Sequence, residues 1–358
     1  MGGAAGLAIG ATASCRRGKG PHDTGSAPTI PFHGGRQAGV DTPPQTHALV
    51  VGYALAPGVV RDQLVRALGD WTTAASAMTS GRSSEPALAG TSPARLTITV
   101  GFSGGLFKAL GLAPAPGMVD LPAFPGDRLD PNRTGADVGV QLCADDPMQL
   151  AGAAAVLNRL ADGVLLPRWQ RLGLRPTRQV GTPRNLFGFK DGTANPTDLD
   201  RHVWRPDGST FLVVRQIRMD VPKFTALPLP DQEAVIGRSR ESGAPLGARV
   251  ETDEVDLFAR TDDGAYVIPA TAHVRAAHPR FDGGAEMLRR GYTYVDGAGE
   301  VGLLFLAFMR DPELFVRVQR RLSAVDGLRH FTETRGSALF WIPPGVAEGD
   351  WIGSALLG

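Results

Sequence analysis

"GLLFLAFMRDPELFVRVQRRLSAV", residues 302–325, decides the fold. Residues 302–310 are almost all apolar, a short run that reads as a strand. Asp311 and Pro312 follow. An N-cap carboxylate with proline in the first turn starts a helix, and 311–325 carries apolar residues at helical spacing. A strand thus runs straight into a helix. Just beyond, "SALFWIPP" (337–344) reads as another strand. Upstream, "STFLVVRQIRMDV" (209–221) is a strand, "LPDQEAVIGRSRE" (229–241) a helix and "RRGYTYVDG" (289–297) a strand. The order is strand, helix, strand, strand, helix, strand.

The first half of the chain repeats this order. "THALVVGYAL" (46–55) reads as a buried strand. "VVRDQLVRALGDWTTAASAM" (59–78) is helical, with Val60, Leu64, Leu68 and Trp71 on one face. "ARLTITVGFS" (94–103) and "ADVGVQLCAD" (136–145) are strands, and Asp146 caps a helix through 162. A fourth strand is expected after it. Two βαββαβ units in tandem predict an α+β chain of two ferredoxin-like domains, each with an antiparallel sheet burying one face. The expected boundaries are 31–180 and 181–358, with residues 176–208 joining the halves.

Composition excludes several classes. The chain has 358 residues and a net charge of +1, so no basic field points to nucleic acid. Two cysteines, Cys15 and Cys143, without any CxxC leave no disulfide framework and no zinc site built from cysteine alone. Cys143, in an alternating strand, reads as a small buried hydrophobe. No segment has about 18 uninterrupted apolar residues, so no integral membrane span is expected.

Residues 1–30 differ from the rest. "MGGAAGLAIGATASC" has the small apolar residues of an export signal, but the basic pair Arg16-Arg17 follows it rather than precedes it. The leader is expected to be the remnant of a twin-arginine (Tat) signal whose start lies upstream. That places the protein outside the cytoplasm, secreted or at the cell envelope. Cys15 is a weak lipidation match.

Chemistry concentrates in the second half. "RNLFGFKDGTANP" (184–196) sets Asp191 between glycines after an apolar run. "PATAHVRAAHPR" (269–280) carries His273 and His278, five apart, so they do not share a helix face as paired zinc ligands do. "EMLRRGYTYVDG" (286–297) places Arg289 at the start of a strand, and a guanidinium stays charged in a cavity. No G-x-S-x-G elbow and no G-x-G-x-x-G after a strand occur, so serine hydrolase and nicotinamide chemistry are disfavoured. Asp191 and Asp198 make only a weak glycosidase pair.

"GFKDG" (188–192) with its "TANP" extension resembles the G-x-x-D-G motif of the dye-decolorising peroxidases. "PFHGGRQAGVDTPPQTHALVVGYAL" (31–55), "AHVRAAHP" (272–279) and "MLRRGYTYVDG" with the 302–322 stretch also resemble that family, in order. The resemblance covers residues 31 to 346. It is greatest to the exported bacterial subgroup, which includes deferrochelatase-like relatives.

The resemblance implies haem b bound in the C-terminal domain. His273 would be the axial ligand of the haem iron, with Asp326 accepting its Nδ1 hydrogen. Asp191 and Arg289 would stand on the opposite face. Gly192, Thr193 and Ala194, and His278, Pro279 and Arg280, would lie at the haem edge and propionates, and Phe305 would line the pocket. The implied activity is reduction of hydrogen peroxide with oxidation of bulky one-electron donors such as dyes and phenolics. The alternative is haem-dependent iron handling with incidental peroxidase activity. Cleaving a peroxide O–O bond needs a proton taken from one oxygen and given to the other, the work of a carboxylate. An arginine stabilises the negative charge that develops. Bulky donors would pass electrons through aromatic residues, with Tyr292, Tyr294, Trp341 and Trp351 as candidates. Small-molecule reductants, and a possible homo-oligomer, are the expected partners.

Overall fold

Eight strands form because the apolar runs of both halves pair with one another. In the computed structural model residues 29–177, 181–192 and 194–357 are described. The expected leader and Cys15 lie outside them, as does Thr193. The first half runs β1 (His47–Leu55), α1 (Arg61–Thr79), β2 (Thr97–Phe102), α2 (Gly104–Ala109), β3 (Val138–Ala144), α3 (Pro147–Leu160) and β4 (Leu165–Leu174). The second runs α4 (Leu199–His202), β5 (Thr210–Met219), α5 (Val221–Thr225), α6 (Leu229–Ile236), α7 (His273–Ala276), β6 (Leu288–Asp296), β7 (Glu300–Met309), α8 (Glu313–Val325), β8 (Thr332–Ile342) and α9 (Ser354–Leu357). The fourth strand expected in the first half is β4.

The strand order is β1-β3-β2-β8-β5-β7-β6-β4, closed on itself. Each half contributes its strands in the order fourth, first, third, second. All pairings are antiparallel. Two narrow seams join the halves: Phe102 opposite Trp341, and Leu174 opposite Thr293. The expectation of two sheets, each with one buried face, therefore changes. The sheets share a ring, and their inner faces form a second core around Trp169, Tyr292, Tyr294, Leu304, Phe308 and Phe340. Closure leaves few free strand edges. It also explains why β2 and β3 are buried at every residue, whereas β4 alternates, with Leu166, Leu172 and Leu174 exposed.

The outer core packs α1 and α3 on the first-half strands. Leu64, Leu68 and Trp71 point into it as the spacing predicts. Val60 does not: it precedes the helix as its N-cap and is 58% exposed. Asp146 caps α3 through Met148 N–H, as expected. Cys143 is buried and free. Among the described residues no helix is long and apolar enough to cross a membrane.

On β6 the residues alternate between the two cores. Arg290, Tyr292 and Tyr294 point into the ring and are buried. Arg289 and Gly291 point outward, with Phe305 of β7 directly opposite Gly291. This outward face of β6 and β7 is where the second half builds its site.

Candidate functional site

The stretch 184–192 is a small hairpin. Arg184 and Lys190 bridge, and Asn185 N–H bonds Phe189 O at 2.9 Å. Phe187 and Phe189, each 2% exposed, anchor it against Phe224 and Phe331. The Phe187 and Phe224 rings stack at 4.2 Å, and Phe331 meets Phe224 edge-on at 5.2 Å. Full burial of each ring stabilises by roughly 1.5–3 kcal/mol. Lys190 forms an ion pair with Glu251, whose carboxylate also accepts from Thr182 Oγ1. Asp191 follows, held by its N–H to Pro183 O at 2.7 Å. Its Oδ2 lies 3.7 Å from the position a Cβ would take at Gly291, so the carboxylate stands over the outward face of β6. Gly192 has φ +103°, a conformation that favours glycine, and a Cβ built there meets no atom within 4 Å. There is open space beside it.

His273 opens the four-residue α7. Two neighbours fix that turn. Gly237 ends α6 at φ +91° so close to it that a Cβ would fall 2.3 Å from Val274 Cγ1. Arg321 of α8 donates from Nε to Ala276 O and pairs with buried Asp282 at 2.6 Å. Asp326, 4% exposed, begins the turn after α8. Its Oδ1 accepts from Leu328 N–H at 2.8 Å and its Oδ2 from His273 Nδ1 at 2.6 Å. Gly327 N–H to Thr271 O, 2.8 Å, ties the two segments together.

Burial works against protonation of the His273 ring. The charge and hydrogen bond of Asp326 more than offset it and raise the imidazole's pKa above its ordinary value. Arg289 lowers that pKa and Asp191 raises it, so both charges act on the ring. Among the described residues, neither the Asp191 carboxylate nor the Arg289 guanidinium has a hydrogen-bond or ion-pair partner, and both are half-buried. Unpaired charges are costly in a protein interior, and two of them acting on one imidazole mark a site shaped for a task other than stability.

The fit of these residues to haem rests on donor and space. With Nδ1 bonded to Asp326, the proton sits on Nδ1 and Nε2 is left as a lone-pair donor without a partner among the described residues. The His273 side chain is not sealed off: 34% of its surface is open. Gly192 adds open space on the Asp191 side. Both donor and space suit a flat ring carrying iron.

The structure thus brings together Asp191, Gly192, His273, Arg289, Phe305 and Asp326. The 278–280 turn adjoins them but directs its contacts elsewhere. His278 Nδ1 caps its own turn through Arg280 N–H at 3.2 Å, Pro279 fills the first position, and exposed Arg280 lies over the Phe258 ring at 4.7 Å. Burial and the charge of Arg280 hold the pKa of His278 below its ordinary value. Ala194 is exposed. Tyr292, Tyr294 and Trp341 are buried, and Trp351 is half-buried. Sequence reasoning passed over Asn195, whose carboxamide pairs with the backbone of Arg289. It also passed over Phe224, which braces the hairpin.

The family model "Dyp-type peroxidase, N-terminal" matches residues 37–175, and "Dyp-type peroxidase, C-terminal" matches residues 182–347. A dye-decolorizing peroxidase of Thermobifida fusca is 38% identical, the alignment covering 90% of this chain and 83% of that one. A deferrochelatase of Escherichia coli K12 is 33% identical, over 91% of this chain and 87% of that one. The crystal structure of a DyP-type peroxidase from Cellulomonas bogoriensis superposes with a TM-score of 0.88 at 40% identity, over 93% of this chain and 99% of that one. With both halves matched in order and a relative this similar over nine-tenths of its length, the chain belongs to the Dyp-type peroxidase family.

Proposed function

We propose that the chain binds haem b in its C-terminal half and reduces hydrogen peroxide while oxidising one-electron donors such as dyes and phenolics. The carrying observation is the His273–Asp326 pair at 2.6 Å, electrostatically coupled to the Asp191 carboxylate and the Arg289 guanidinium, with no partner for Nε2 or for either charge among the described residues. Asp191, His273, Arg289, Phe305 and Asp326 all come from the second half, which supports a cofactor held there. We read each half as one ferredoxin-like unit, 31–180 and 181–358. The repeated fourth-first-third-second strand order supports this.

In this reading His273 Nε2 would hold the iron, and Asp326 would keep the proton on Nδ1 and raise the basicity of Nε2. Gly192 and Ala194, with the 278–280 turn, would border the group. The haem, when bound, would supply the redox chemistry. The protein would move the proton: Asp191 would accept it from one oxygen of peroxide and return it to the other, which leaves as water. Arg289 stabilises the negative charge on that departing oxygen. Phe305 keeps the pocket apolar and excludes water.

D191N is expected to slow the reaction with peroxide by about 10²–10⁴-fold. R289L is expected to slow it by about 10²–10³-fold. Stopped-flow mixing of haem-loaded protein with peroxide measures both, and unchanged rates in both variants would remove the distal assignment. A second reading, haem-dependent iron handling, is favoured by the deferrochelatase relative. Iron release from added haem with the porphyrin left intact would select it. Steady donor turnover without iron release selects the first.

A further inference from the structure

We infer that Asn195 is the positioning residue of the distal pair: its carboxamide pairs with the edge of β6 as a neighbouring strand's peptide group would, and fixes where Arg289 and the Asp191 loop meet. The inference rests on the reading of Asp191 and Arg289 given above.

β7 pairs with β6 along its whole length, from Leu288 opposite Phe308 to Asp296 opposite Glu300. On the other edge β4 reaches β6 only at Leu174 opposite Thr293. Among the described residues, no strand pairs with that edge at Arg289. In an antiparallel strand the N–H and C=O of one residue point to the same side. Asn195 takes both. Its Nδ2 donates to Arg289 O at 2.9 Å, and Arg289 N–H donates to its Oδ1 at 2.9 Å. A carboxamide offers a donor and an acceptor in the same relation as a peptide group, which hydroxyl and carboxylate side chains do not. The two bonds also fix which end of the amide is oxygen.

Asn195 is four residues from Asp191, a reach of at most ~14 Å of extended chain. Pro196 follows and biases residue 195 toward extended backbone. From inside the ring, buried Arg290 donates to Val40 O, Thr42 O and Gln45 Oε1. The backbone at 289–290 is thus held from both sides, while the Arg289 guanidinium has no partner among the described residues. Electrostatic stabilisation needs donors fixed in place before reaction, and a misplacement of about 1 Å can cost on the order of 10²-fold in rate.

The test compares N195A and N195D with the parent protein, each haem-loaded and each also combined with D191N. Three quantities are read: haem-to-protein ratio, hydrogen exchange of the peptide containing Arg289, and the rate of reaction with peroxide. Both single variants are expected to keep their haem. The Arg289 amide should exchange at least about tenfold faster, and the peroxide rate should fall by roughly ten- to a hundredfold. The KM for the one-electron donor should hardly move. In the D191N background the second change should add little, because Asn195 acts through the pair. An unchanged peroxide rate in either folded, haem-loaded variant overturns the inference. So does haem loss in both variants, which would assign Asn195 to cofactor retention, and so does a full multiplicative loss in the D191N background. If D191N alone leaves the rate unchanged, the distal reading itself fails. If D191N is slow and N195A is not, only the present inference fails.

Discussion

Single residues carry the site, and each was legible to the extent that its partner lay close in sequence or its motif was distinctive. Asp191 stood out because its loop matches G-x-x-D-G, for a carboxylate between glycines by itself reads as well as an Asx-turn or a helix cap; His273 stood out because it follows an apolar run in a stretch that resembles the same family. Asn195 did not stand out. Its partner is 94 residues away, and nothing in "TANP" marks an amide that pairs with a strand edge. Glu251 was equally silent, although it tethers the residue beside Asp191. Burial pushes its pKa up, but the bonds from Lys190 and Thr182 outweigh burial and hold it below the ordinary carboxylate range. A depressed folded-state pKa adds stability above the unfolded value, about 4.3 for glutamate, and that stability is lost as pH falls through the folded value. The 182–190 hairpin is therefore expected to loosen in acid. E251Q should be looser already at neutral pH and show a flatter response below about pH 4. Hydrogen exchange of the hairpin across that range checks this, and parallel pH curves for parent and variant would contradict it.

Elements followed the sequence where one face was apolar and departed where backbone conformation intervened. The spacing of Leu64, Leu68 and Trp71 placed α1 correctly, but β2 starts three residues later than its alternation suggests. Ala94 and Arg95 adopt positive φ, which ends any strand before Thr97. Likewise Gly237 stops α6 short of 241 by turning left-handed against α7. The aromatic block of Phe187, Phe189, Phe224 and Phe331 was the larger omission, because it assembles from three separate segments. It joins the Asp191 hairpin to the turn that follows Asp326, and in the proposed site it would space the two faces. F224A is expected to cost about 3–5 kcal/mol of stability and to weaken haem retention together. F224L should recover most of both. Thermal melting with the haem-to-protein ratio reads the pair of effects, and a lost Tm with full haem retention would deny the block its spacing role.

At the scale of the whole molecule, the repeated strand order was readable and the ring closure was not. Closure depends on two seams, Phe102 with Trp341 and Leu174 with Thr293, which leave no periodic signature in either half. Residues 111–135, rich in proline and glycine, carry Asp127, which reaches fully buried Arg215 of β5 in an ion pair. Burial lowers the pKa of that guanidinium, and Asp127 works against the shift. Removing one partner leaves an uncompensated buried charge, so D127N is expected to cost about 3–5 kcal/mol in denaturant unfolding. A loss below about 1 kcal/mol would mean that the pair is wet rather than buried. The account's central claim is that the imidazole of His273 holds haem iron beneath Asp191 and Arg289. Its most direct test is the absorption spectrum of haem-loaded parent protein and H273A, before and after one equivalent of hydrogen peroxide. The account predicts a Soret band in the parent that shifts with peroxide, and a variant that retains little haem. A colourless parent, or a variant with the parent's haem content and spectrum, would contradict it.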